Sequence, residues 1–151
     1  MRVFLAVALL TGGYSGEVFG IWKMNPVRSM LAGDSQPKSL EVRIEPHGKG
    51  EAFTLDRVEA DGRTTSSSTI LYLDGANREF QDFGCSGTQS SRRVDGRTVE
   101  ILRKCASGAR TRLVRRLPAP KELVLEITEQ QPNGRRVEQR LVLEKRDAEK
   151  Y

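Results

Sequence analysis

Turn signals recur at short intervals along almost the whole chain: Pro46-His47-Gly48-Lys49-Gly50, Asp61-Gly62, Asp74-Gly75, Asp95-Gly96, Ser107-Gly108 and Pro132-Asn133-Gly134. Asp-Gly and Asn-Gly pairs supply the positive φ that tight hairpins need. Between the turns, apolar and polar residues alternate. Leu40, Val42 and Ile44 alternate with Glu41, Arg43 and Glu45, and Phe53 and Leu55 resume the pattern. Arg63 to Leu73 is a β-prone run of Thr, Ser and Ile. Arg78–Asp82 and Thr88–Arg93 read as short strands, and Thr98 to Cys105 carries Val99 and Ile101 on one face. Leu113 and Leu117, then Leu123, Leu125 and Ile127, then Val137, Leu141 and Leu143 continue the series. This period of two marks strands with one wet face. Helix signals are confined to Val27–Leu31, after Asn25-Pro26, and the polar tail Asp147–Tyr151. With Phe19–Lys23 included, the spacing predicts about ten strands joined as successive hairpins. A meander that long leaves two exposed edges unless it closes. The expectation is therefore all-β: one antiparallel up-and-down barrel of about eight to ten strands.

A length of 151 residues fits one domain, expected here over residues 16–151. The N-terminus reads as a signal peptide over residues 1–15. Met1-Arg2 is basic, Val3 to Leu10 is apolar, and Gly13 and Ser15 are small residues before a cleavage point after Ser15. The apolar run is too short to span a bilayer, which takes about 20 residues. The chain is thus expected in the periplasm or secreted. Its only cysteines are Cys85 and Cys105. In an oxidising compartment they can pair, which would stabilise the fold by about 3 kcal/mol. The alternative is two unpaired thiols, one of them buried.

Charge is uneven. Lys and Arg number 25 against 20 Asp and Glu. Between Thr88 and Pro118, nine basic residues face two acids, leaving +7 in that stretch. Arg110, Arg112 and Arg116 share one strand face by their spacing. Three arrangements are open for them. They can form a solvated outer face, dock on an anionic surface of the cell envelope, or point inward to hold a carboxylate or phosphate. Leu113 and Leu117 take the opposite face and should fill the core. Nucleic acid is disfavoured as a partner, because aromatics for base stacking are few.

The two ends of the barrel region carry a resemblance. Gly20-Ile21-Trp22-Lys23 forms a G-x-W motif on the first strand. Arg136 to Arg146 resembles a closing strand with basic residues at its end. Together they are similar to the calycin superfamily, the lipocalins and fatty-acid-binding proteins, and to small exported bacterial lipocalin-like proteins. The resemblance implies that Gly20 and Trp22 are structural, with Lys145 or Arg146 packing over Trp22 to close the barrel floor. It also implies a non-catalytic barrel that binds a small apolar or amphipathic molecule without a cofactor.

No catalytic or metal constellation emerges from the sequence. His47 is the only histidine and lies in a Pro/Gly turn, without the partners that catalysis or a metal site needs. Asp56, Asp61, Asp74 and Asp95 read mostly as turn residues. Ser66-Ser67-Ser68 and Ser90-Ser91 lack a nucleophile-elbow context. The chain is therefore expected not to be an enzyme.

Overall fold

The computed structural model describes residues 16–33 and 36–146. The expected signal peptide and the polar tail from Asp147 lie outside them. The described chain begins with a single 3-10 turn, Gly16–Val18, and continues as ten strands. They are β1 (Gly20–Met24), β2 (Ser39–His47), β3 (Gly50–Val58), β4 (Thr64–Leu71) and β5 (Arg78–Asp82), then β6 (Cys85–Asp95), β7 (Thr98–Cys105), β8 (Arg110–Ala119), β9 (Glu122–Gln130) and β10 (Arg136–Lys145). All pairs are antiparallel, in the order β4-β3-β2-β1-β10-β9-β8-β7-β6-β5. The sheet curls into a barrel, and β1 pairing with β10 joins the ends of the chain.

One hairpin expected from sequence does not form. Asp74-Gly75 does not turn β4 back onto β5. Asp74 instead bridges Arg92 on β6, and the Gly75 N–H donates to the Ser91 carbonyl. The Ser91 hydroxyl also accepts the Leu73 N–H. The connection is thus tied to β6, and β4 and β5 share no ladder. The helix expected at Val27–Leu31 is also absent. The Asn25 side chain accepts the N–H groups of Val27 and Arg28, a local bond that competes with helix formation. Met30 then pairs with Arg140, so the loop runs along β10.

Strand alternation sends one set of side chains inward. At one end of the barrel these are almost all apolar: Trp22, Val42, Ile44, Phe53, Leu71, Val99, Leu123, Leu125 and Leu143 are at most 2% exposed. Trp22 seals this end. Its indole N–H donates to the Val18 carbonyl, and the Lys145 ammonium lies 5.3 Å from its ring centroid. Lys145 also donates to the Glu17 carbonyl. Gly20 is needed opposite: its φ is +139°, and a Cβ there would meet Lys145 Cε at 2.9 Å. Arg146 takes a different place and pairs with Glu41 on the outside.

One polar cross-link runs through this apolar end. Arg115 of β8 makes two hydrogen bonds, 2.6 and 2.8 Å, to the two carboxylate oxygens of Glu51 of β3. Both side chains are sealed from solvent, at 3% and 0% exposure. Such a paired, bidentate bridge satisfies two charges that would each be costly alone.

Candidate functional site

Further along the barrel axis the inward series changes character. On β7 the residues inward of Val99 and Ile101 lead to Arg103; on β6 they include Ser91 and Gln89. The sequence Asp82-Phe83-Gly84-Cys85 makes a tight turn between β5 and β6, with positive φ at both central residues, 52° for Phe83 and 72° for Gly84. This left-handed pair matches the twist of the flanking strands, although Phe is a costly residue to hold there. The hairpin is fastened to the end of β7 by a disulfide between Cys85 and Cys105, with Cα atoms 5.2 Å apart. Gly87 lets β6 lie close against β7, since a Cβ would fall 1.9 Å from the Lys104 carbonyl oxygen.

This local geometry sets two phenylalanines over one arginine. The Phe80 and Phe83 rings stack with centroids 6.1 Å apart. The Arg103 guanidinium carbon lies 4.9 Å from one centroid and 4.4 Å from the other. Arg103 is 7% exposed. Its Nε donates to the Gln89 side-chain oxygen at 2.8 Å, and its Nη2 has no hydrogen-bond partner. Among the described residues no carboxylate lies within ion-pair distance of it. Burial pushes its pKa down to about 10, against the opposing pull of Asp82. It therefore remains a cation at neutral pH. Cation–π contacts contribute about 2 kcal/mol when desolvated. The desolvation of a buried charge costs several kcal/mol. The rings alone leave this charge undercompensated.

The guanidinium stands beside the break between β4 and β5. Two side-chain links cross that break. The Gln89 amide donates to the Thr69 hydroxyl at 3.0 Å, and Asp82 accepts the Ser68 N–H at 2.9 Å. Outside them lies a cleft of about 280 Å³, lined in part by Ser68, Thr69, Tyr72, Phe80 and Gln89. Two of the residues that hold Arg103 thus also line the cleft. At its rim Arg78 pairs with Asp74 and lies 4.0 Å over the Tyr72 ring. The Arg78 hydrogen bond, with the Ala76 N–H, holds the Asp74 carboxyl well below the usual carboxylate range.

The arginines singled out from sequence lie elsewhere. Arg110, Arg112 and Arg116 are all exposed on the outer face of β8, while Leu113 and Leu117 fill the core. The inward arrangement considered for them does not occur. Arg112 donates to Glu100 at 2.7 Å and Arg92 joins the same carboxylate at 2.9 Å. The Arg112 bond is the larger cause of a lowered Glu100 pKa. Arg116 pairs with Glu126. His47 is exposed at the turn between β2 and β3. No group of three or more His, Cys, Asp or Glu suited to a metal ion occurs among the described residues. No helix among them is long and apolar enough to cross a membrane.

Among the described residues the inward arginines are Arg103 and Arg115, which the charge pattern does not distinguish from their neighbours. Alternation carries the only available signal. Arg103 continues Val99 and Ile101, and Arg115 stands between Leu113 and Leu117.

No protein-family model matches the chain, and no curated protein matches it. Solved structures do resemble it. The crystal structure of a point mutant of the fluorescent protein UnaG has a TM-score of 0.55 and 16% identity, covering 87% of this chain and 98% of that one. The structure of EF1p2_mFAP2b bound to DFHBI has a TM-score of 0.50 and 10% identity, covering 86% and 94%. At these identities the likeness is one of fold: an up-and-down, nearly closed barrel of ten antiparallel strands.

Proposed function

We propose that this chain is a non-catalytic, exported binding barrel that takes a small amphipathic molecule by its anionic end. The carrying observation is the Nη2 of Arg103, a buried cationic donor without a partner. A carboxylate placed there would gain a charge-assisted hydrogen bond from a donor that has already lost its water. The stacked Phe80 and Phe83 rings offer apolar surface beside it, and the β4–β5 break gives a side entry. The cleft is at the small end of ligand sites, which run from about 300 Å³ upward. That favours a short ligand over a bulky one. The solved neighbour bound to DFHBI supports placing a small molecule in a barrel of this fold. The Cys85–Cys105 disulfide supports an oxidising compartment.

The test is calorimetric titration with decanoate and with decanol, on the wild-type chain and on Arg103→Met. The wild type should bind decanoate about tenfold or more tighter than decanol, since a hydrogen bond to a charged group is worth about 1.5–3 kcal/mol. Arg103→Met should lose that preference. Equal binding of the two probes by the wild type, or undiminished decanoate binding by Arg103→Met, would overturn the reading.

A further inference from the structure

The outer face of the barrel carries a second basic feature. The ladder register aligns Lys104 of β7 with Arg110 of β8, Arg110 with Gln130 of β9, and Gln130 with Arg136 of β10. All four are exposed. Lys104 and Arg110 are thus like charges placed directly opposite each other, an arrangement that destabilises a sheet. Neither has a carboxylate partner among the described residues. Arg136 has only Glu138 at 3.8 Å, both strongly exposed.

The adjoining rows are built differently. Arg112 and Arg92 converge on Glu100, and Arg116 and Arg140 on Glu126. The sheet therefore gives its arginines a shared carboxylate one or two ladder steps away, whereas Lys104 and Arg110 have none among the described residues. The row also frames a groove of about 360 Å³, lined in part by Leu102, Lys104, Arg110, Arg112, Thr128 and Arg136. Leu102 is 41% exposed within it. Ladder neighbours are about 4.8 Å apart, so the cations of the row are spaced on the order of 5–10 Å. That suits an anion with two or more charged oxygens better than a single carboxylate.

We infer that this groove, on the outer face of the sheet and bordered also by Arg103, whose side chain turns inward, is a binding site for a phosphate-type oxyanion. Lys104, Arg110 and Arg136 supply the charge, Arg112 a fork of donors at the groove wall, and Thr128 and Gln130 neutral hydrogen bonds. The same chemistry occurs in a free phosphate compound and in a lipid headgroup.

The experiment separates these sources and separates the site from net charge. Inorganic pyrophosphate is titrated calorimetrically, and vesicles of phosphatidylcholine with and without phosphatidylglycerol are sedimented, both over a salt series. The triple variant Lys104→Ser/Arg110→Ser/Arg136→Ser is compared with the control Arg28→Ser/Arg116→Ser/Arg140→Ser, which removes equal charge from arginines paired with Glu122 (Arg28) and Glu126 (Arg116 and Arg140). Circular dichroism and thermal melts establish that both fold. Wild-type binding to either probe, weakening with salt, is expected. The row variant should lose about tenfold or more, since each lost charge-assisted bond is worth a large part of that factor. The control should lose much less. Pyrophosphate binding alone identifies a free phosphate compound, and binding only to phosphatidylglycerol vesicles identifies a headgroup. No binding to either probe overturns the inference, and so does an equal loss in the two variants. Should the row variant not fold, Arg110→Gln alone carries the same comparison, with Arg116→Gln as its control.

Discussion

Two arginines lie inside this barrel on neighbouring strands, and they are held in opposite ways. Arg115 meets Glu51 through two short hydrogen bonds in the apolar end, and both groups are sealed from solvent. Arg103 meets two aromatic faces and one amide oxygen, and keeps an unpartnered donor beside the break between β4 and β5. A buried charge with its counter-charge is part of the framework. A buried charge with no carboxylate at ion-pair distance is one that an added anion would stabilise. The contrast separates a completed pair from an uncompleted one.

The largest effect should come from breaking the completed pair. Glu51→Ala removes the bidentate carboxylate of Arg115 and leaves its charge buried in the core, and should cost about 3–5 kcal/mol, read by urea unfolding. The double variant Glu51→Leu/Arg115→Met removes both charges and should recover most of that loss. If the double variant were as unstable as the single, the pair would be doing more than cancelling its own charges.

Next in size is the fastening of the hairpin that places Phe80 and Phe83. Cys85→Ser/Cys105→Ser should lower stability by about 3 kcal/mol, in line with a loop closed over 20 residues. It should also weaken the decanoate preference, because the rings over Arg103 depend on that hairpin. The apolar end should keep its protection in hydrogen exchange.

Arg103→Met should behave unlike Glu51→Ala. Removing an uncompensated buried charge should leave unfolding stability within about 1 kcal/mol of wild type, or raise it. A loss as large as that of Glu51→Ala would make Arg103 a framework residue and erase the comparison.

The smallest effect concerns Glu100 on the outer face. Its folded pKa is lowered, first by Arg112 and then by Arg92. A carboxylate with a depressed folded pKa stabilises the fold above its unfolded pKa, and that stability is lost as pH falls through the folded value. The stability gap between wild type and Glu100→Gln should therefore be present at neutral pH. It should shrink as the solution is taken below the ordinary glutamate value of 4.5. Arg103 should show no change over the same range.

The strands were legible because alternation and Asp-Gly or Asn-Gly turns are local signals. The floor was legible through the G-x-W resemblance, which implied Gly20, Trp22 and either Lys145 or Arg146; the structure puts Lys145 over Trp22 and Arg146 against Glu41. The β4–β5 break was not legible. Asp74-Gly75 has the composition of a hairpin turn, and only tertiary contacts to Ser91 and Arg92 divert it. Arg103 was hidden for a related reason. Nine basic residues between Thr88 and Pro118 look alike in sequence. What separates Arg103 from Arg115 is whether a carboxylate from a distant strand reaches it, and Glu51 is 64 residues from Arg115.

The distinction between the two arginines can be read directly from their own nuclei. In a chain labelled with ¹⁵N-arginine, the Nε–H signals of Arg103 and Arg115 are followed during titration with decanoate. The Arg103 signal should shift and saturate with the calorimetric affinity, while the Arg115 signal stays fixed as an internal reference. An Arg103 signal unmoved at saturating decanoate, or one that moves no more than Arg115, would contradict the account.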